Sequence, residues 1–480
     1  MNLSLLSPEL ILAGGALVLL VMDPFVPALR RGGSGAGAMV LTGIAAIALL
    51  SLTPSPAPVL SGMISRDSLA RGFGLIALLV TLLTVLASRG YVTRLLPALQ
   101  TEYYALLLFA TAGMLLLVSS SHLVMMFVAL ELMSLSSFAL AGIERNKRRS
   151  AEGGMKFFLL GALSSALLLY GIAFLYGLTG HLDLFEIGRS LNRAEVPPAA
   201  YVALVFVLAG FGFKLSLVPF HMWCPDTYEG SPTPIAGFLS VGSKGAALIA
   251  LWRVLTVGLA GLAPEWEKMV WLLAAGSMVV GNLVAVQQQN LKRMLAFSTI
   301  AHAGYLMVGL IAGSALGNAA LFFYIAVYAF MSVGAFAGVA YMSHLGIGEE
   351  WGDLAGFSQK HPYVAFAFSL FLLSLAGVPP LAGFAGKFLL FSAAVDKGYY
   401  LLAVLGMMTS VVSLYYYVRV MRYMYVAAPP DPATTPLRAP AEPAHADLGL
   451  AAVLVAGSLG TVLFGVFPQH LLAFFLDATK

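Results

Sequence analysis

Apolar positions along the chain gather into long, nearly uncharged runs separated by short polar or proline-containing loops. Runs of membrane-spanning length fall near 8–28, 38–54, 72–88, 103–120, 122–143, 154–178, 199–221, 235–257, 269–287, 294–313, 318–343, 361–392, 399–425 and 447–468. The pattern predicts an all-α integral membrane protein of about fourteen transmembrane helices. The second run is short and interrupted by Pro54 and Pro56, and an even count places both termini on one side.

Composition sharpens this picture. Of 480 residues, 60% are hydrophobic and 10% charged, which is what fourteen spans of about twenty residues consume. A single cysteine, Cys224, excludes a disulfide framework and any cysteine-built zinc or iron–sulfur site. The 26 basic residues exceed the 22 acidic ones by only four and lie in short clusters, so nucleic-acid binding has no footprint. Their distribution bears on orientation instead. Loops after odd-numbered runs hold fourteen Lys and Arg, including the E-R-N-K-R-R segment at 144–149, against eight on the other side. Cytoplasmic loops retain such residues, so odd loops are expected in the cytoplasm and both termini outside it. The first run lacks a basic lead and a small-residue cleavage site, and is expected to be retained as a helix.

Little is left for a soluble domain. The largest loops are 179–198 and 427–446, the latter rich in proline (Pro429, Pro430, Pro432, Pro436, Pro440, Pro443) and expected to be an extended linker before the last helix.

Setting aside charges near the run ends and those counted with the loops, four basic residues remain within runs, Lys156, Lys214, Lys244 and Lys387, and one acid, Glu131, sits clearly in the middle of a run. A Lys or Asp at a helix centre costs about 2.5–3.5 kcal/mol on insertion scales, so each needs a reason. Lys156 is close enough to its helix start to snorkel, and a purely anchoring role stays open. Lys214, Lys244 and Lys387 lie too deep for that, Lys387 being the only charge in the 33 residues from Tyr363 to Val395. They suit either a structural buried ion pair or a proton path. One carboxylate cannot neutralise three amines, so at least two of them are expected to be neutral, hydrated or only transiently paired.

Gly210–Lys214 and Gly383–Lys387 share G-F-x-x-K, and both runs carry prolines, Pro219 in one and Pro379 and Pro380 in the other. Together these suggest internal five-helix repeats whose corresponding members, the seventh and twelfth helices, are discontinuous, with each lysine beside a hydrated break. A simple proline kink is the plainer alternative. His302 is a further titratable group at depth, suited to packing or to a relay. Gly386–Lys387 is no phosphate loop, because Leu381 stands at the required glycine and Phe388 at the required Ser or Thr.

From about Glu102 to Tyr425 the chain resembles the antiporter-like subunits of respiratory complex I and the related multisubunit cation/proton antiporters. The residues that carry this are F-K-L-S-L-V-P-F-H-M-W-C-P-D-T-Y-E-G-S-P-T-P from Phe213 to Pro234, Lys244, and L-K-R-M-L-A-F-S-T-I-A-H-A-G-Y from Leu291 to Tyr305. P-D-T-Y-E-G-S-P-T-P, the G-G-M-K-F-F-L-L-G-A segment at Gly153–Ala162 and S-P-E-L-I-L from Ser7 are similar to the bacterial N type in particular. The lysine at 387 fits the N and L types, whereas the M type carries Glu there.

The resemblance implies a division into a three-helix segment (1–100), two inverted five-helix repeats (101–260 and 261–426), a linker (427–446) and a C-terminal helix (447–480). It implies a fifth-helix acid, Glu131, paired with the seventh-helix Lys214, a linking Lys244, and an outward-facing Lys387, with His302 and Lys156 matching further family positions. The function implied is that of a non-redox, proton-translocating subunit of NADH:quinone oxidoreductase in the bacterial inner membrane. No cofactor is expected in this chain; FMN, iron–sulfur clusters and quinone belong to partner subunits, with M-type and K-type subunits as neighbours. Two alternatives stay open: a subunit of a multisubunit cation/proton antiporter, and a membrane scaffold without an ion path.

Overall fold

The computed structural model describes residues 3–60, 62–192, 197–428 and 447–478. Among these, thirteen helices are long and apolar enough to cross a membrane. A fourteenth crossing is divided into two fifteen-residue halves. The all-α architecture expected from the hydrophobic pattern is therefore the one found.

In chain order the helices are α1 (Ser7–Met22), α2 (Gly33–Ser51), α3 (Ser68–Leu95), α4 (Gln100–Ser119), α5 (Leu123–Ala141), α6 (Arg148–Thr179), the short α7 (Leu184–Leu191) and α8 (Pro198–Leu215). The short α9 (Trp223–Gly230) and α10 (Thr233–Phe238) follow, then α11 (Lys244–Arg253), α12 (Ala263–Gln287), α13 (Leu291–Ala312) and α14 (Ala315–His344). After the one-turn α15 (Phe357–Lys360) come the half-helices α16 (Pro362–Ala376) and α17 (Ala382–Asp396), then α18 (Tyr400–Tyr425), α19 (Leu448–Val466) and α20 (Pro468–Ala478). The seventh run of the sequence is thus α8 followed by a break and α9, and the twelfth is α16 plus α17.

Helix ends follow local chemistry. Asn290 starts α13 by accepting from the Lys292 and Arg293 amides, Asp183 starts α7 in the same way, and Pro198 and Pro362 occupy first positions where no amide partner is needed. Depth in the bundle does not follow mean hydropathy, which is 1.7 for α13 and 2.1 for the N-terminal helix, because lipid is as apolar a neighbour as another helix. Every residue of the most apolar window of α13 is buried, against 28% for the window at the N-terminus. So α13, α14 and the α10–α11 segment form the centre, while α1, α2 and α19 lie outside. The centre is tight because glycines admit backbone contact: a Cβ at Gly281 of α12 would come 2.7 Å from the Ala301 amide nitrogen, and one at Gly304 of α13 would come 2.8 Å from the Ala274 carbonyl. This close approach fixes the segment that carries His302.

Several expectations need correction. The 179–198 loop contains α7. A short antiparallel hairpin, β1 (Ser55–Val59) with β2 (Ile64–Arg66), joins α2 to α3. The last helical region is two helices, because Pro468 cannot continue α19 and begins α20 instead. Arg253, one of the eight basic residues counted above for the non-cytoplasmic loops, is buried at the end of α11 and ion-paired to Asp67 at 2.7 Å. Beside it Arg66 is buried in a two-oxygen contact with Glu9 and donates to the Leu5 carbonyl at 3.0 Å. Charged groups that hydropathy places at helix ends can be drawn inward when each finds a partner, and these two pairs tie α1 and α3 to the bundle. Of the proline-rich linker expected at 427–446, residues 429–446 lie outside the described residues.

Candidate functional site

Lys214 is the penultimate residue of α8. The helix closes when Ser216 adopts a left-handed conformation (φ 56°), so that the Ser216 amide donates to the Phe213 carbonyl at 3.0 Å and the Leu217 amide to the Gly212 carbonyl at 2.8 Å. The freed Val218 amide is taken up by Ser277 Oγ of α12 at 2.9 Å. Pro219 then prevents the helix from resuming before Trp223.

The Lys214 side chain points into an aromatic cage. Its Nζ lies 4.6 Å from the ring centre of Phe138, 5.4 Å from Phe213 and 5.7 Å from Phe157. Trp223 stacks on Phe157 at 4.0 Å and donates its indole N–H to the Phe213 carbonyl at 2.9 Å, bracing the cage from α9. The amine has no hydrogen-bond partner among the described residues. The direct Glu131–Lys214 pair expected from the family resemblance is absent. Glu131, half-buried on α5, accepts instead from Ser165 of α6 and lies within electrostatic reach of Lys214.

Lys244 opens α11 directly after a π-helical turn, Leu239–Ser243, whose wider winding sets the side chain's angle at the bundle centre. Its Nζ lies 3.9 Å from Cys224 Sγ and 5.7 Å from the centre of the Tyr228 ring. A cavity of about 10 Å³ adjoins it, lined on the far side by Thr299 and Tyr328, and is near the smallest size that holds one water.

His302, fully enclosed on α13, shares a 2.7 Å hydrogen bond with the Tyr324 hydroxyl. Its ring stacks on Tyr324 and Tyr328 and meets Tyr305 edge-on. It lies within electrostatic reach of both Lys244 and Lys387.

Lys387, on α17, reaches back across the second break. Its Nζ donates to the Leu375 carbonyl at 2.8 Å, the Ala376 carbonyl at 3.1 Å and Ser410 Oγ at 2.8 Å, so it caps the open end of α16. Tyr305 offers its ring face at 4.8 Å, and the Tyr305 hydroxyl accepts from Asn282 at 3.0 Å. A surface-open cavity of about 500 Å³ borders the amine, with Ser392 and Asp396 also on its wall.

The structure brings Lys214, Lys244, His302 and Lys387 into the bundle interior, each at most 5% exposed. Among the described residues, none of the three lysines has a carboxylate partner within ion-pair distance. Lys156 does not join them. It is 43% exposed and bridges Glu152 at 2.7 Å and Asp226 at 2.6 Å. Asp226 continues to Arg293, Arg293 to Glu229 and Glu229 to Arg149, which locks α6, α9 and α13 together at one face of the bundle. The sequence reading missed Asp226, Glu229 and Arg293 as a unit. The signal was present in P-D-T-Y-E-G, where two acids three residues apart face one way on a single helical turn.

The shared G-F-x-x-K also proves not to mark equivalent places. Gly377 (φ 89°) closes α16 as Ser216 closes α8, with amide bonds from Gly377 to Ser374 and from Val378 to Leu373. Lys214 precedes its break, whereas Lys387 follows its own.

Comparison with known proteins bears on the family and the fold. Residues 120–413 match the family described as NADH:quinone oxidoreductase/Mrp antiporter, transmembrane region. The NADH-quinone oxidoreductase subunit N of Trichlorobacter lovleyi is 39% identical over 486 residues, covering 100% of this chain and 97% of that protein. That of Moorella thermoacetica is 42% identical over 473 residues, covering 98% and 97%. A chain in the structure of respiratory complex I from Thermus thermophilus with bound aureothin superposes with a TM-score of 0.79 at 36% identity, covering 97% of this chain and 98% of that one.

Proposed function

Since the chain belongs to the subunit N family of NADH-quinone oxidoreductases, a membrane component of a multisubunit respiratory complex, we propose that it carries protons through the membrane along Glu131, Lys214, Lys244, His302 and Lys387. The observation that carries this reading is the set of three enclosed lysines without a carboxylate partner. A structural role would favour paired charges, because an unpaired buried cation is among the most costly groups a fold can hold. Amines left in this condition serve a path better than a scaffold.

Lys214 is the first amine of the path and Glu131 its switch. With Glu131 turned to Ser165, Lys214 is held by ring faces alone; with the carboxylate brought to the amine, its proton is retained. Alternation between these two arrangements passes a proton to Lys244, and from there past His302 to Lys387. Carrying one charge against 100 mV takes about 2.3 kcal/mol, and one pKa unit is about 1.36 kcal/mol, so a swing of roughly two units per 100 mV suffices. Lys156 acts from the side, holding α6 against α9 and α13 through Asp226.

Electron transfer takes place elsewhere in this reading. FMN, iron–sulfur clusters and quinone reside in partner subunits, M-type and K-type subunits flank this one, and the face that carries Arg145 and Arg148 is cytoplasmic, with both termini on the opposite side. The test is proton pumping by reconstituted complex bearing Lys214→Met, with assembly measured separately. Pumping falls at least tenfold with normal assembly; an assembled complex that pumps normally would overturn the path.

A further inference from the structure

On the proposed proton path, Lys214 must exchange protons with water, yet its amine meets only aromatic rings. A groove of about 600 Å³ runs along the surface between α4, α5 and α6. Glu102 and Arg145 stand exposed at its polar end, Ala139 and Phe158 form its sides, and Phe138 lies in its floor. Phe138 is 7% exposed, and Lys214 Nζ lies 4.6 Å from its ring centre. One aromatic ring therefore both lines the groove and covers the amine.

The ring has a defined seat. Position 161 is glycine, and a Cβ there would overlap the Phe138 ring. Phe157 meets it edge-on at 4.5 Å. From this seat the open direction is the groove, which has room for a phenyl ring. Lys214 Nζ, buried and without a hydrogen-bond partner among the described residues, is the polar group that the ring shields.

We propose that Phe138 gates water access to Lys214: seated against Gly161 it seals the amine from the groove, and swung outward it admits water from the face that carries Arg145. This rests on the proton-path reading, but its test does not depend on pumping. Assembled complex in inverted membrane vesicles carries Lys214→Cys in three backgrounds: Phe138 unchanged, Phe138→Ala, and Gly161→Ala, which displaces the ring with a smaller change. A membrane-impermeant, charged methanethiosulfonate is added to the Arg145 face, and labelling of this subunit is followed over time. Wild-type chain, with buried Cys224 as its only thiol, gives the background.

Labelling at position 214 is expected to be at least tenfold faster with Phe138→Ala, and faster by a smaller factor with Gly161→Ala. Ala139→Cys, on the groove wall, is expected to label readily whether or not Phe138 is present. Equal rates at position 214 in all three backgrounds would overturn the gate. So would an unreactive Ala139→Cys, since the groove would then hold no water in the assembled complex. Loss of pumping by Lys214→Met alongside unchanged labelling would remove the gate and leave the path standing.

Discussion

The two broken helices use the same closing turn and hold their lysines in opposite ways. At the first break Lys214 sits on the helix that is ending, turned away from the freed backbone and toward three ring faces. At the second, Lys387 sits on the helix that is beginning, and spends its donors on two freed carbonyls and a serine hydroxyl. A ring face gives a cation about 0.5–2 kcal/mol, whereas hydrogen bonds to a charged donor give about 1.5–3 kcal/mol each. Lys387 is therefore integral to the structure of its break, and Lys214 is not. On the proposed path the first amine is thus loosely held and the last firmly seated, which puts the point of control at the start.

Replacing each lysine by methionine breaks the comparison most directly. Both variants are expected to lose pumping, and they differ in the stability of the assembled complex. Lys387→Met leaves the Leu375 carbonyl without its donor, and an orphaned buried acceptor costs about 1–3 kcal/mol. The Ala376 carbonyl keeps the Ser410 hydroxyl at 3.0 Å. Lys214→Met orphans nothing, and its thioether gains sulfur–aromatic contacts worth about 0.3–1.5 kcal/mol. Thermal dissociation of the purified complex should therefore shift down for Lys387→Met and stay level or rise for Lys214→Met. Equal destabilisation would show that Lys214 has a structural partner after all.

Ser410→Ala sharpens the second break alone. It removes one acceptor from Lys387 and one donor from the Ala376 carbonyl, while Lys387 keeps both carbonyls. A loss of about 1 kcal/mol in holding the amine corresponds to roughly fivefold, so pumping is expected to fall by up to that factor and not to vanish. Pumping by reconstituted Ser410→Ala complex measures it, and complete loss would mean that the hydroxyl itself passes the proton.

The amines, the number of crossings and the positions of both breaks were legible in the sequence because each depends on local chemistry: a charge in an apolar run, a length of about twenty residues, a proline that cannot donate. What stayed hidden depends on which groups meet across the bundle. Phe138, Phe157 and Phe213 come from three helices, and nothing in their spacing distinguishes a cage from ordinary packing. The side of the break on which each lysine lies was not legible, because G-F-x-x-K is a match of letters, whereas equivalence is set by the left-handed residue that ends the helix, serine in one case and glycine in the other. Arg253 and Arg66 were hidden by pairing, since their acids, Asp67 and Glu9, are distant in sequence.

The smallest expected effect concerns Tyr305, which touches Lys387 with its ring and binds its surroundings with its hydroxyl. Tyr305→Phe keeps the face at 4.8 Å from the amine and removes the oxygen that accepts from Asn282. Asn282 is not stranded, because its amide nitrogen also donates to the Met278 carbonyl at 2.7 Å and its amide oxygen still accepts from Tyr416 at 3.1 Å. Thr409, whose oxygen lies 3.4 Å from the tyrosine hydroxyl, retains its 2.8 Å bond to the Leu405 carbonyl. With no buried group orphaned, the change costs on the order of 0.5 kcal/mol, and pumping should fall by less than about twofold. A loss comparable to that of Lys387→Met would show that protons reach Lys387 through the tyrosine hydroxyl and Asn282, and that the second break is fed by a hydrogen-bonded chain that the first, walled by phenyl rings, does not have.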